Sequence, residues 1–181
     1  MAVPGSIAQF GDVVRAREQL GLGPYATMNP LPWAAVSDSG AQTLGANDYT
    51  PQQVTFDTIE GQSDQYFASN AFTAKYPGTY LVTFSAIINL SSGANKNHHI
   101  WLRKNGNDVP RSNTHTVVAN TNEDRATTVT FLLALSAFDV ITIWQSGDST
   151  SLKLSPSAAV AGPKGYPASP SIIATFNLVS P

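Results

Sequence analysis

The chain has 181 residues, of which 42% are hydrophobic and only 12% charged, and ten basic residues against twelve acidic ones leave a net charge of -2. That length allows one domain of about 150 residues plus a short appendage, and the absence of any Lys/Arg-rich run argues against a nucleic-acid partner, which needs concentrated positive charge. With no cysteine, disulfides and thiolate metal sites are excluded, so stability must come from packing and association.

Residues 1–30 differ from the rest and read as an N-terminal arm. Ser6 with Gln9 fits a capping box, Asp12 is a second N-cap, Val13 to Leu20 predicts a short helix, and Gly21 supplies its stop. A helix this short is not stable alone. Val13, Val14, Leu20 and Leu22 are therefore expected to anchor the arm to identical neighbours or to another protein of a particle. The first residues lack a basic segment followed by an apolar core, and no run approaches 18 apolar residues. The expectation is synthesis in the cytoplasm, no membrane insertion, and any extracellular task reached by lysis or as part of a particle.

From Pro32 onward the hydrophobic period becomes two. Segments 53–58, 66–73, 79–90, 98–104, 109–118, 126–135, 140–145, 151–154 and 172–179 read as strands divided by turn residues. Nine or ten strands with no intervening helical period predict an all-β antiparallel sandwich over residues 31–181. Asn105-Gly106 is the clearest hairpin turn, because both residues tolerate positive φ.

The alternation also speaks to association. Between Thr79 and Ile88, one face carries Tyr80, Val82, Phe84, Ala86 and Ile88, while the other carries Leu81, Thr83, Ser85 and Ile87. Segment 126–135 repeats this, and segments 140–144 and 172–179 are also apolar on both faces. A monomeric sandwich shows polar outer faces, so neighbouring subunits are expected to cover Leu81, Ile87, Leu132, Trp144 and Ile173.

Five segments taken in order carry a resemblance: Val54-Thr-Phe-Asp57, Phe72 to Tyr80 with Pro77 and Gly78, Trp101 to Gly106, Leu135 to Ile143, and Ser171 to Val179. Together they resemble the globular heads of complement and its tumour-necrosis-factor-like relatives, over roughly the last 150 residues. The resemblance implies a jelly-roll fold, a homotrimer, and recognition of surfaces instead of catalysis. Phe138 stands where that family's Gly-Asp-x-Val pattern has glycine, and Asn177 replaces the usual glycine of the closing strand. A second, brief resemblance, Leu20-Gly-Leu-Gly-Pro-Tyr-Ala-Thr27, is to a segment that recurs in bacteriophage tail-fibre proteins.

The residues that carry reactive chemistry give little. His98 and His99 are adjacent, so in a strand they point to opposite faces and cannot chelate one ion from the same side; His115 stands alone in the sequence. Asp57, Glu60 and Asp64, or Glu123 and Asp124, are oxygen donors of the kind calcium takes, but their spacing fits no binding loop and a solvated turn is the plainer reading. No nucleophile elbow, phosphate loop or His-Glu-x-x-His segment occurs, so no catalytic residue, metal or cofactor is assigned. Loops on a rigid sandwich are better binding candidates. Segment 155–170 offers Lys164 and Tyr166, and segment 120–125 offers Asn120, Asn122 and Arg125, as groups able to meet a host-surface glycan or protein.

These readings converge on a homotrimeric virion structural protein of a bacteriophage, a short fibre or capsid-decoration knob held by its arm to other virion proteins. The alternative is a bacterial surface or spore-coat protein of the same fold.

Overall fold

A computed structural model describes residues 31–63, 66–163 and 165–180. The helix and anchor expected at Val13, Val14, Leu20 and Leu22 lie outside the described residues, as do Asp64 and Lys164. Among the described residues the regular elements are fourteen strands in two antiparallel sheets. The first sheet holds β1 (Trp33–Asp38), β2 (Gln42–Thr43), β4 (Thr58–Ser63), β7 (Gly78–Leu90), β11 (Asp124–Leu135), β13 (Leu152–Leu154) and β14 (Ile172–Ser180). In the second are β3 (Gln52–Gln53), β5 (Tyr66–Ala68), β6 (Ala71–Thr73), β8 (Lys96–Lys104), β9 (Asn107–Asp108), β10 (Thr114–Val118) and β12 (Val140–Gly147).

The thirteen-residue β7 organises the first sheet. One edge pairs with β11 from Gly78 to Asn89, and the other pairs first with β14 and then, from Ile88 to Leu90, with β13; β14 continues to β1 and β1 to β4. The second sheet runs β10-β8-β12-β6-β5. Because the chain passes repeatedly from one sheet to the other, the topology is that of a jelly-roll sandwich.

The core lies between the sheets and is built by the predicted alternation. Tyr80, Val82, Phe84 and Ile88 of β7 are fully buried, facing Ile100 and Leu102 of β8 and Ile141 and Ile143 of β12 across the layer. Phe72 stacks on Phe176 at 4.6 Å between ring centroids and meets Tyr80 edge-on at 5.7 Å. The Tyr80 hydroxyl, which cannot be buried unpaired, donates to the carbonyl of Tyr76 at 2.8 Å. Each such ring contributes roughly 2–3 kcal/mol of burial.

Four local outcomes differ from the sequence reading. Trp33–Asp38 is a central strand of the first sheet, and segment 53–58 pairs only at Gln52–Gln53, the strand itself falling at Thr58–Ser63. Segment 66–73 is a hairpin of two short strands, turned at Ser69 and Asn70, which have φ of 51° and 61°. Segment 109–118 pairs only from Thr114, because residues 110–113 form a turn in which the Ser112 hydroxyl caps the carbonyl of Val109 at 2.8 Å. At Asn105-Gly106 the expected hairpin is present, with φ of 51° and 82°, and the Asn105 side chain also ties the turn to β12 through Asp139 and the Val140 amide.

The two ends of the sandwich are distinct. Pro32 and Leu178 hydrogen-bond to each other at the end where β7 begins, so the segment leading from the arm and the C-terminal strand share one end. Segments 91–95, 119–123 and 155–170 gather at the other, where β7 ends.

Candidate functional site

Three surfaces follow from this framework: the outer face of each sheet and the loop end. On the first sheet, the outward positions are Thr79, Leu81, Thr83, Ser85 and Ile87 of β7, Ala126, Thr128, Thr130, Leu132 and Ala134 of β11, and Ile173, Thr175, Asn177 and Val179 of β14. None of these central positions is charged; at the loop end the same face carries Asp124, which accepts from Asn89 at 2.7 Å, and Lys153, which lies opposite Asn89. Leu132 is 66% exposed and Ile173 39% exposed. Four hydroxyls of β7 and β11 are matched across strands, Thr83 with Thr130 at 3.0 Å and Thr128 with Ser85 at 2.9 Å. Leu81 lies directly opposite Leu132 and Ile87 opposite Ala126, so Leu81, Ile87, Leu132 and Ile173 share this one surface. Trp144 does not: it sits on β12, on the outside of the second sheet, because a strand-by-strand reading cannot tell which sheet a segment joins.

At the loop end, segment 155–170 projects as an exposed ribbon closed by backbone pairing of Ser157 with Ser169 and Val160 with Tyr166. Tyr166 is 55% exposed near its tip. The neighbouring loop is self-fastened: the Glu123 carboxylate accepts from the Ala119 and Asn120 amides at 3.0 and 2.9 Å and pairs with Arg125, and the Asn122 amide donates to the Leu90 carbonyl. These bonds hold the Glu123 carboxyl below the usual range, the Asn120 amide contributing most. Asn122 is the turn residue, at φ 61°.

The carboxylates considered as calcium donors are engaged in the same local way. Asp57 accepts from the Ser39 amide and hydroxyl and from Thr58, bonds that lower its pKa, Ser39 first; Asp124 accepts from Asn89 at 2.7 Å. Among the described residues no three acids and histidines gather as an ion site.

The outside of the second sheet carries the features that sequence reasoning missed. His99 and His115 are directly opposed on β8 and β10, with rings stacked at 4.7 Å, although His115 is isolated in the sequence. Trp101 opposes Trp144 across β8 and β12. The Arg103 guanidinium lies 4.0 Å over the Trp144 ring, and its Nε donates to Asp108 at 2.6 Å while the Trp101 indole donates to the same oxygen at 2.7 Å. Tyr49 packs edge-on against His99 at 5.7 Å. Beside these rings opens a cleft of about 470 Å³ lined by Tyr49, His99, Trp101, Asp108, Arg111 and Asn113, among others. The register of β8 with β10 and β12 is the signal that would have found it, and register is not written in any one segment.

His98, on the inner side of β8, is fully buried. Its Nε2 is 3.0 Å from Gln145 Oε1, so the ring donates there, and among the described residues His98 Nδ1 and Gln145 Nε2 have no partner. Burial, chiefly, with a smaller repulsion from His99, pushes its pKa down to about 4 despite the Gln145 bond. His99 is also lowered, by burial first and then by His115.

No protein-family model matches the chain, and no curated protein matches it. Among solved structures it is similar to the globular domain of zebrafish complement 1qA protein, at 15% identity, with 82% of this chain and 97% of that one covered and a TM-score of 0.44.

Proposed function

We propose that the protein is a homotrimeric knob on the surface of a bacteriophage particle, joined at its first sheet, attached through its N-terminal arm and presenting its loop end and second sheet outward. The observation that carries this reading is the outer face of the first sheet: three adjacent strands with no charged side chain on their central outward rows and with Leu132 largely exposed. Patches of this kind mark interfaces between proteins, and hydroxyls already matched across strands add no unpaired groups when the face is covered. Closed symmetric association is the common solution for one surface presented by identical chains.

Two further features support the arrangement. The segment from the arm enters at one end of the sandwich and the loops project at the other, so a chain tied down by its arm directs the loops away from the tie. The Leu20-Gly-Leu-Gly segment favours a fibre among virion proteins. The role is binding, with other virion proteins at the arm and a host-surface glycan or protein at the exposed surfaces. Antibody labelling of purified virions tests it: many sites over the head indicate decoration, a few at one vertex indicate a fibre, and particles without label exclude the reading.

A further inference from the structure

We propose that the cleft on the outside of the second sheet is a glycan site, which takes one pyranose ring against Trp101 and Tyr49 and holds its hydroxyls through Asp108, Arg111 and Asn113. It rests on the knob reading, which gives the exposed surfaces a glycan or a protein to bind, and narrows it to a glycan at this cleft.

The size and the chemistry fit together. About 470 Å³ lies within the roughly 300–1,000 Å³ of small-ligand sites. Aromatic rings give flat, stiff walls for the C–H faces of a sugar. The Trp101 ring is held in place from behind, because its indole nitrogen is bonded to Asp108, itself fixed by Arg103. Both of those bonds fall on Asp108 Oδ1, and among the described residues Oδ2 accepts none. Asn113 Nδ2 meets His99 Nδ1 at 3.1 Å, so the Asn113 carbonyl oxygen is left as an acceptor. Arg111 is exposed and, among the described residues, makes no ion pair. An apolar ligand would strand the carboxylate and the guanidinium, and a phosphate would meet Asp108. A polyhydroxylated ring with apolar faces satisfies the walls, the acceptor pair and the donor at once.

A second observation points to the same place. Tyr49 and Arg111 have φ of 63° and 65°, in the left-handed region that glycine enters freely and that bulky side chains avoid. Among the described residues, five of the other six non-glycine residues with positive φ are Ser or Asn, and the sixth is Phe138 in the β11–β12 turn. Two of the three bulky residues in this conformation thus line one cleft. Strain of this kind clusters at ligand sites, and Phe138, which carries it outside the cleft, supplies the control.

The test uses the full chain on a printed array of neutral and uronic-acid-bearing oligosaccharides, followed by titration of the best-bound oligosaccharide into wild type, Arg111→Gly, Tyr49→Gly and the control Phe138→Gly. The two cleft variants should keep or raise the thermal midpoint while losing roughly tenfold or more in affinity, and the control should bind as wild type does. A blank array, or cleft variants that bind as tightly as wild type, overturns the proposal. Particle labelling and solution mass are untouched by these variants, so failure of the cleft and failure of the knob reading are separately visible.

Discussion

Acid sensitivity should trace to one residue. Unfolded His98 titrates near 6.5 and the folded residue at about 4, because the charged ring has no water between the sheets. Between those values the unfolded chain binds a proton that the folded chain does not, so the contribution is full above pH 6.5 and is lost as pH falls through the window to 4. At about 1.36 kcal/mol for each unit of pKa difference, the loss amounts to about 3 kcal/mol at pH 4. His98→Gln keeps a polar group opposite Gln145 and removes the titration. Urea unfolding at pH 7, 5.5 and 4.5, at one protein concentration because association adds to apparent stability, should show wild type losing about 2.4 kcal/mol between pH 7 and 4.5 and the variant losing much less. His99, lowered in the same sense, leaves a smaller residual slope in both proteins. The lowered carboxylates at Asp57, Asp108 and Asp139 titrate below this window, as their bonds to Ser39, Arg103 and Lys104 are lost at lower pH. Equal acid loss in both proteins, or a His98 ring titrating near 6.5 by NMR, would refute the reasoning.

Other substitutions probe the remaining links. Phe138 is 76% exposed with φ 69°, so Phe138→Gly should relieve about 1–2 kcal/mol of left-handed strain against about 0.4–1 kcal/mol of added unfolded-chain entropy, and the urea midpoint should rise with an unchanged slope. At Gly147 an added Cβ would stand 2.7 Å from the Asn97 carbonyl oxygen and 2.8 Å from the Leu44 and Leu152 methyls. Gly147→Ala should therefore cost about 1–3 kcal/mol of overpacking, read as a lower thermal midpoint. Leu132→Asp places a carboxylate in the middle of the uncharged face and should give a folded monomer by light scattering with an unchanged circular dichroism spectrum.

What the sequence disclosed depended on how local the cause was. Alternation in β7 and β11 disclosed both faces of those strands, because side-chain direction has a period of two whatever the partner. The Asn105-Gly106 turn was equally legible. Ser69-Asn70 was not, since serine rarely adopts positive φ, and Trp33–Asp38 was missed because its inward row, Ala34 and Val36, is small and the outward Ala35 between them is apolar too. Phe138 holds a left-handed conformation that favours glycine, its amide bonded to the Ala74 carbonyl at 2.6 Å, so the turn forms here with strain. The surfaces were harder. Leu81, Ile87, Leu132 and Ile173 come together through pairings of β7 with β11 and β14, and Trp144 parts from them because β12 pairs with β8. His99 and His115, or Trp101 and Trp144, become neighbours only through register between distant segments, which no single stretch of sequence encodes.

The uncharged centre of the first sheet's outer face is the feature on which the proposed role rests, and the most direct measurement is the mass in solution by light scattering, on the full chain and on a chain that begins at Leu31. Three times the 19.2 kDa chain mass for the full protein, with a trimer retained by the shorter chain, is the predicted result. A stable 19.2 kDa monomer at micromolar concentration would contradict the account, since Leu132 and Ile173 would then face water with no subunit to cover them.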